Sequence, residues 1–275
     1  MRWWERENDN RARRRPRQSG LPREILGLRP SEAYQEPDDA PRIATVYNGL
    51  SGRGLWVPFR KSDPEGNRWL DNEPLYIDWS RPSVAWLSTA SEARWQGHNY
   101  FLTRGVSWTA LANHAPMKAR FQEPCVFDAS SMRLTPLPDV LDPLAFLALL
   151  NSNVVSFFKM KFIRHTQTWE IGDLRTLPIV MPTREQADRI TQLATLAIRA
   201  KRLSFMNELP DHDMVRYVRL LNDDLQRAAP AYLKPAAQLQ LVRSADDCLG
   251  IIEQAVNWEA EKLYRVEGFG PFDEF

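Results

Sequence analysis

The sequence predicts a mixed α/β fold, a mixed sheet with inserted helices, followed by a helical C-terminal segment. Three observations lead there. Short runs rich in β-branched and aromatic residues alternate with turn signals from about Ile43 to Arg133. Leu144, Leu147, Leu150, Val154, Phe157 and Phe158 then fall at nearly the three-and-four spacing of a helix with one buried face. Beyond Thr183 the apolar residues keep helical spacing for most of the remaining chain. This divides the chain into a basic and polar leader or linker at residues 1–45, an α/β domain at 46–182 and a helical spacer or docking segment at 183–275.

The leader carries Arg11, Arg13, Arg14, Arg15 and Arg17, then a polar, proline-containing stretch to Pro41. Such composition suits a solvated tail, or a phosphate-contacting arm or docking segment that orders on assembly. Strand-like composition marks Arg42–Tyr47, Leu55–Phe59, Tyr76–Asp78, Val84–Trp86, Tyr100–Leu102 and Cys125–Asp128. Ser62-Asp-Pro-Glu-Gly-Asn67 reads as a turn, and Ser107-Trp-Thr-Ala-Leu111 as the start of a short helix or turn. A helix is expected over Leu141–Lys161, with Asp142 as its cap and Pro143 at its first position. Leu177-Pro-Ile-Val-Met-Pro182 reads as a short strand closed by proline. Thr183 and Gln186 form a capping box that opens a helix to about Phe205. Met214–Arg227 and Leu239–Arg265 are the last two predicted helices, with Leu249, Ile252, Val256 and Leu263 on the buried stripe of the second.

Composition narrows the class. Hydrophobic residues at 43% and charged ones at 26% describe an ordinary globular protein. No apolar run approaches the roughly 18–20 residues of a membrane span, and the N-terminus lacks a signal-peptide core. Cys125 and Cys248 stand far apart in apolar surroundings, so a reduced cytoplasm fits better than a disulfide framework. Four scattered histidines without paired cysteines do not make a structural zinc site. A net charge of +1 argues against indiscriminate coating of nucleic acid, but not against a groove reader with local charge on one face.

A set of motifs in order carries a resemblance. They are Leu149-Leu-Asn-Ser152, Trp169-Glu-Ile-Gly-Asp-Leu174 and Leu177-Pro-Ile179, preceded by Tyr100–Trp108, Cys125-Val-Phe-Asp128, Gly54–Phe59, Asn67-Arg-Trp69 and Tyr76–Trp79. From about Gly49 to Pro182 the chain resembles the C-terminal target-recognition region of adenine-specific DNA methyltransferases. Those are the fused restriction–modification enzymes and the large methyltransferases of phage-exclusion (BREX-type) systems. The catalytic motifs of such enzymes are not found: there is no glycine-rich loop for S-adenosylmethionine and no (Asn/Asp/Ser)-Pro-Pro-(Tyr/Phe) tetrapeptide. The resemblance therefore implies a recognition part, either a split-off subunit or a piece of a larger chain. The cofactor, S-adenosylmethionine, would bind a catalytic partner and not this chain.

Reading a DNA sequence takes cations on phosphates and hydrogen-bonding side chains on base edges. Lys159, Lys161, Arg164, His165, Gln167 and Thr168 follow one buried segment and precede another, so they are expected on a surface loop with rigid support. A basic helix C-terminus satisfying the dipole is the plainer explanation. Arg104, Ser107, Thr109, Asn113, His114, Lys118 and Arg120 form a second candidate, which ordinary surface polarity explains as well. Arg53 in Ser51-Gly-Arg-Gly54, with Arg60 and Lys61, forms a third; a simple β-turn needs the same glycines. Asn151 and its neighbours are expected to tie a helix to nearby backbone, because buried amides must be hydrogen-bonded. Of the ten tryptophans, Trp56, Trp69, Trp79, Trp86 and Trp108 are read as mostly core.

The carboxylates Asp63, Glu65, Asp71, Glu73 and Asp78 lack the spaced Asp…(Asp/Glu)-x-Lys set of a magnesium nuclease, so no intrinsic catalysis is expected. The expected function is sequence-specific binding of double-stranded DNA beside a methyltransferase partner that flips and methylates an adenine. A protein-interaction component of a phage-defence complex, touching other defence proteins and never DNA, is the alternative. A tryptophan-rich carbohydrate-binding module ranks third.

Overall fold

The computed structural model describes residues 39–63, 66–71, 75–93, 95, 97–110, 117–134, 140–164, 166, 168–206, 211–228 and 244–266. Its strands form two sheets. In the first, β1 (Trp56–Arg60) lies between β3 (Leu75–Asp78), antiparallel, and β6 (Val126–Phe127), parallel. In the second, the order is β2 (Trp69–Leu70), β5 (Arg120–Gln122), β4 (Gly105–Thr109) and β7 (Ser131–Leu134), with only β2 and β5 parallel. The mixed α/β class with a helical C-terminal part is as the sequence predicts.

Each sheet has its own hydrophobic cluster. The smaller one joins Val57, Phe59, Ile77, Trp79, Phe101, Val126 and Phe127 to two helices, α1 (Asp39–Asn48) and α2 (Arg81–Leu87). Both helices replace expected strands, at Arg42–Tyr47 and Val84–Trp86. The β-branched composition of the first is overridden by packing: Val46 is buried, and the Trp79 indole N–H donates to the Thr45 carbonyl at 2.9 Å. Arg42 reaches past the helix to the carbonyls of Asn99 and Phe101. Gly49 then ends α1 at φ +70°, where a side chain would collide with the backbone of Ser80 and Arg81. In α2 the buried residues Val84 and Leu87 are three apart, a helical spacing, and Asp78 holds its first turn through Ser80 and Ser83. Tyr100–Leu102, also expected as a strand, is a 3₁₀ turn (His98–Tyr100) followed by Leu102 at φ +60°.

The larger cluster runs from the second sheet into the C-terminal helices without a break at 182/183. It takes in α3 (Pro143–Leu150), α4 (Asn153–Phe158), α6 (Arg184–Ser204), α7 (Asp211–Ala228) and α8 (Ala245–Tyr264). The expected helix over Leu141–Lys161 is thus two helices, with axes bent by 59°. Asp142 caps α3 by accepting from the N–H groups of Leu144 and Ala145, and Pro143 occupies its first turn. The Thr183–Gln186 capping box is formed at the head of α6, and Ser244 with Asp247 repeats it at α8. α8 begins at Ala245 rather than Leu239; residues 239–243 lie outside the described residues.

Helices α6 and α7 are tied by Arg199 to Asp224 at 2.7 Å, and α6 and α8 by Arg189 to Glu259 at 3.4 Å. Residues 177–182 are not a strand: Pro178 and Pro182 remove two backbone donors. The Tyr264 hydroxyl instead donates to the Pro178 carbonyl and accepts from Val180 N–H. Among the described residues no single helix is long and apolar enough to cross a membrane.

Candidate nucleic-acid interface

The first candidate surface is built on Asn151, which is 4% exposed at the end of α3. Its Oδ1 accepts from Ala119 N–H at 2.8 Å and its Nδ2 donates to Ala119 C=O at 2.9 Å. The amide ties the helix to sheet backbone, as its burial requires. Ser152 then caps α4 by accepting from Val155 N–H, and Asn257 of α8 accepts from Asn153 N–H at 2.8 Å. The break is held from two sides.

Helix α4 passes into a π-helical turn over Lys159–Ile163. Such turns break the regular ladder and often mark functional positions. Here the turn separates two lysines that the sequence reads alike. Lys159 is fully buried; it donates to the Thr166 carbonyl and lies 4.5 Å from the centre of the Trp169 ring. Burial holds its ammonium below the usual lysine range, against the pull of Asp173. Lys159 therefore supports the turn from inside and is withdrawn from the surface. Lys161 is exposed, and beside it Phe162 is 71% exposed.

The segment after the turn is closed by Arg164, paired with Glu170 at 3.0 Å and Asp173 at 3.4 Å. Asp173 also accepts from Glu170 N–H at 2.9 Å, which starts α5 (Ile171–Arg175). Trp169, buried, is locked to the end of β4: its backbone N–H donates to the Ala110 carbonyl, and its carbonyl accepts from the Trp108 indole N–H. Thr168 is half-buried, while His165 and Gln167 lie outside the described residues. Among the described residues of this candidate, Lys161 is an exposed cation, and Arg164 acts first as a clamp on its own loop.

The second candidate turns mostly inward. β4, β5 and β7 alternate strictly, so Val106, Trp108, Phe121, Met132 and Leu134 join the larger core while Ser107, Thr109, Arg120, Gln122, Ser131 and Arg133 share the other face. That face is buried too. Ser107–Thr109, expected as helix or turn, is the middle of this sheet because it pairs on both sides. Arg120 contacts Asp71 at 2.7 Å and Asp63 at 3.1 Å and donates to Thr109 Oγ1 at 2.8 Å. Arg60 approaches Asp71 from the other sheet at 3.7 Å.

Burial raises the Asp71 carboxyl despite both arginines. Asp63 goes the other way: burial raises it, but hydrogen bonds from Asn67 and Gly66 and the Arg120 charge together hold it below the usual carboxylate range. Ser107, Thr109 and Arg120 are accordingly buried in this seam and withdrawn from the surface. Of the rest, Arg104 faces Glu123 at 3.5 Å, Lys118 is half-buried at the sheet margin, and Asn113 and His114 lie outside the described residues.

The third candidate stays at the surface in part. Gly52 and Gly54 adopt φ +90° and +82°, which explains both glycines by backbone conformation, and they leave Arg53 exposed between them. Arg60 and Lys61 are half-buried. Trp69, Trp79 and Trp108 are core as read, whereas Trp56 is half-buried and Trp86 is 45% exposed. Among the described residues no group of three or more His, Cys, Asp or Glu is placed to hold a metal ion.

Three features escaped the sequence reading: the exposure of Phe162, the buried Arg120–Asp71–Asp63 network, and Arg68 and Lys201, whose charges act on Lys118. The second had a signal, since Arg-Phe-Gln, Ser-Met-Arg-Leu and Gly-Val-Ser-Trp-Thr all alternate with period two. No protein-family model matches the chain. Nor does any curated protein match it.

Proposed function

We propose that the chain is the DNA-recognition module of an adenine-N6 DNA methyltransferase in a restriction–modification or phage-defence system, working in the cytoplasm. A separate catalytic part would hold S-adenosylmethionine and methylate the base. The observation that carries the reading is the π turn, which offers Lys161 and Phe162 at the surface while Asn151, Lys159 and Trp169 fix its base. Recognition loops work best on such rigid supports. The order of motifs in the sequence supports the methyltransferase partner. The test is selection of bound fragments from a random duplex pool by the purified chain, alone and with candidate methyltransferase partners. Enrichment of a short motif is expected; its absence in both arms overturns the reading.

One observation favours the alternative, a defence-complex component that binds protein. Phe162 meets Phe158, which meets Tyr264, which in turn holds Val180, 39% exposed beside Met181 at 52%. An apolar surface of this kind suits a protein partner. Capture of a methyltransferase without any DNA binding by the complex would select this alternative.

A further inference from the structure

Three cations flank the parallel pair β2–β5. Arg68 immediately precedes β2 and Lys118 lies just before β5; the register Trp69↔Arg120 sets these two lead-ins side by side. α6 packs on β2 and brings Lys201 in its last turn. Among the described residues few carboxylates answer them. Glu253 of α8 lies 3.7 Å from Arg68, and the same oxygen already accepts the Trp69 indole N–H at 2.8 Å. Asp63 is engaged by Arg120. Lys201 sits over the Phe205 ring.

Arg68 Nε is buried without a hydrogen-bond acceptor. Lys118 makes no hydrogen bond or ion pair among the described residues. Burial lowers its pKa, Arg68 and Lys201 lower it further, and Asp63 and Glu253 only partly compensate. An anion at this point would supply the missing acceptors and cancel the repulsion.

We propose that Arg68, Lys118 and Lys201 form a phosphate clamp that holds the backbone of duplex DNA. The proposal rests on the DNA-recognition reading and adds to it a positioning contact, separate from the π turn. Side chains from three elements at a partly exposed margin suit a phosphodiester passing across them. All three elements belong to one core, so the clamp has a fixed geometry. It also makes α6 part of the DNA-facing surface and not a spacer alone.

The test uses the full chain and two readouts. The first is the salt dependence of binding to a duplex of random sequence, for wild type and for Lys118→Gln with Lys201→Gln. Two lost phosphate contacts lower the slope of log K against log salt by about 2. The second is acylation of Lys118 in the wild type by an amine reagent, mapped by mass spectrometry, with duplex or with inorganic phosphate present. The clamp predicts strong protection by duplex and little by phosphate at equal phosphate concentration.

If wild type binds duplex but neither the slope nor Lys118 labelling changes, the clamp is wrong while DNA recognition stands. Protection by inorganic phosphate without duplex binding would mark a free-anion site and overturn both. No binding and no protection, by the chain alone and together with a methyltransferase partner, would overturn both as well.

Discussion

The side-chain amide of Asn151 completes both backbone groups of Ala119, accepting its N–H at 2.8 Å and donating to its C=O at 2.9 Å. One residue thereby fixes the end of α3 against the sheet and sets where α4 departs. Asn151→Ala leaves the buried Ala119 N–H unmet, while the Ala119 carbonyl keeps the Trp69 N–H at 2.9 Å. A loss of about 1–3 kcal/mol is expected from one unsatisfied buried group. Urea unfolding checks it; a variant as stable as wild type would contradict the role.

Arg120 is the hub of the seam between the sheets. Arg120→Met leaves the buried Asp71 carboxylate only the more distant Arg60, at 3.7 Å, and breaking a buried pair costs about 3–5 kcal/mol. Adding Asp71→Leu removes the stranded charge and is expected to restore a large part of that loss. Urea denaturation of the single and double variants measures the recovery. Equal stability of the two would show that Asp71 does not depend on Arg120.

Acid sensitivity separates Asp63 from Asp71. Asp63 is held below its ordinary value of 3.8, so it contributes stability that is full above that pH and is lost as pH falls through its folded pKa. Asp71, raised by burial, has the opposite sign: stability falls as pH rises through the ordinary carboxylate range. Asp63→Asn is therefore expected to flatten the loss of stability on acidification below about pH 4. Melting temperatures across an acid series test this, and an unchanged profile would contradict it.

Burial pushes both cysteine thiols up to about 12, so neither ionises appreciably at neutral pH. Both are buried and unpaired by disulfide. Alkylation of Cys125 and Cys248 should follow unfolding, negligible in native protein and rapid in denaturant. Reaction of either thiol in native buffer at the unfolded rate would contradict the packing.

Much of the helical part was legible because its signals are local. Caps at Asp142 and Thr183 and the apolar stripe of α8 depend on residues within a turn or two. The strands were harder. Arg42–Tyr47 has strand-like residues but becomes helix because its neighbours, Trp79 and the 98–101 segment, accept it as one. β2 and β6 are two residues long and exist only through their partners.

The candidate surface was half legible. A basic stretch after a buried helix was visible, but not that a π turn would bury Lys159 and leave Lys161 out. Polar residues at Ser107 and Arg120 look like surface in sequence because alternation shows two faces, not which one a second layer covers.

The central claim is that the π turn touches DNA, and the salt dependence of binding to the selected duplex tests it most directly. Lys161→Ala is expected to lower the slope of log K against log salt by about 1. It should also weaken binding while leaving the melting temperature unchanged. A slope and an affinity equal to wild type would remove this surface from the interface.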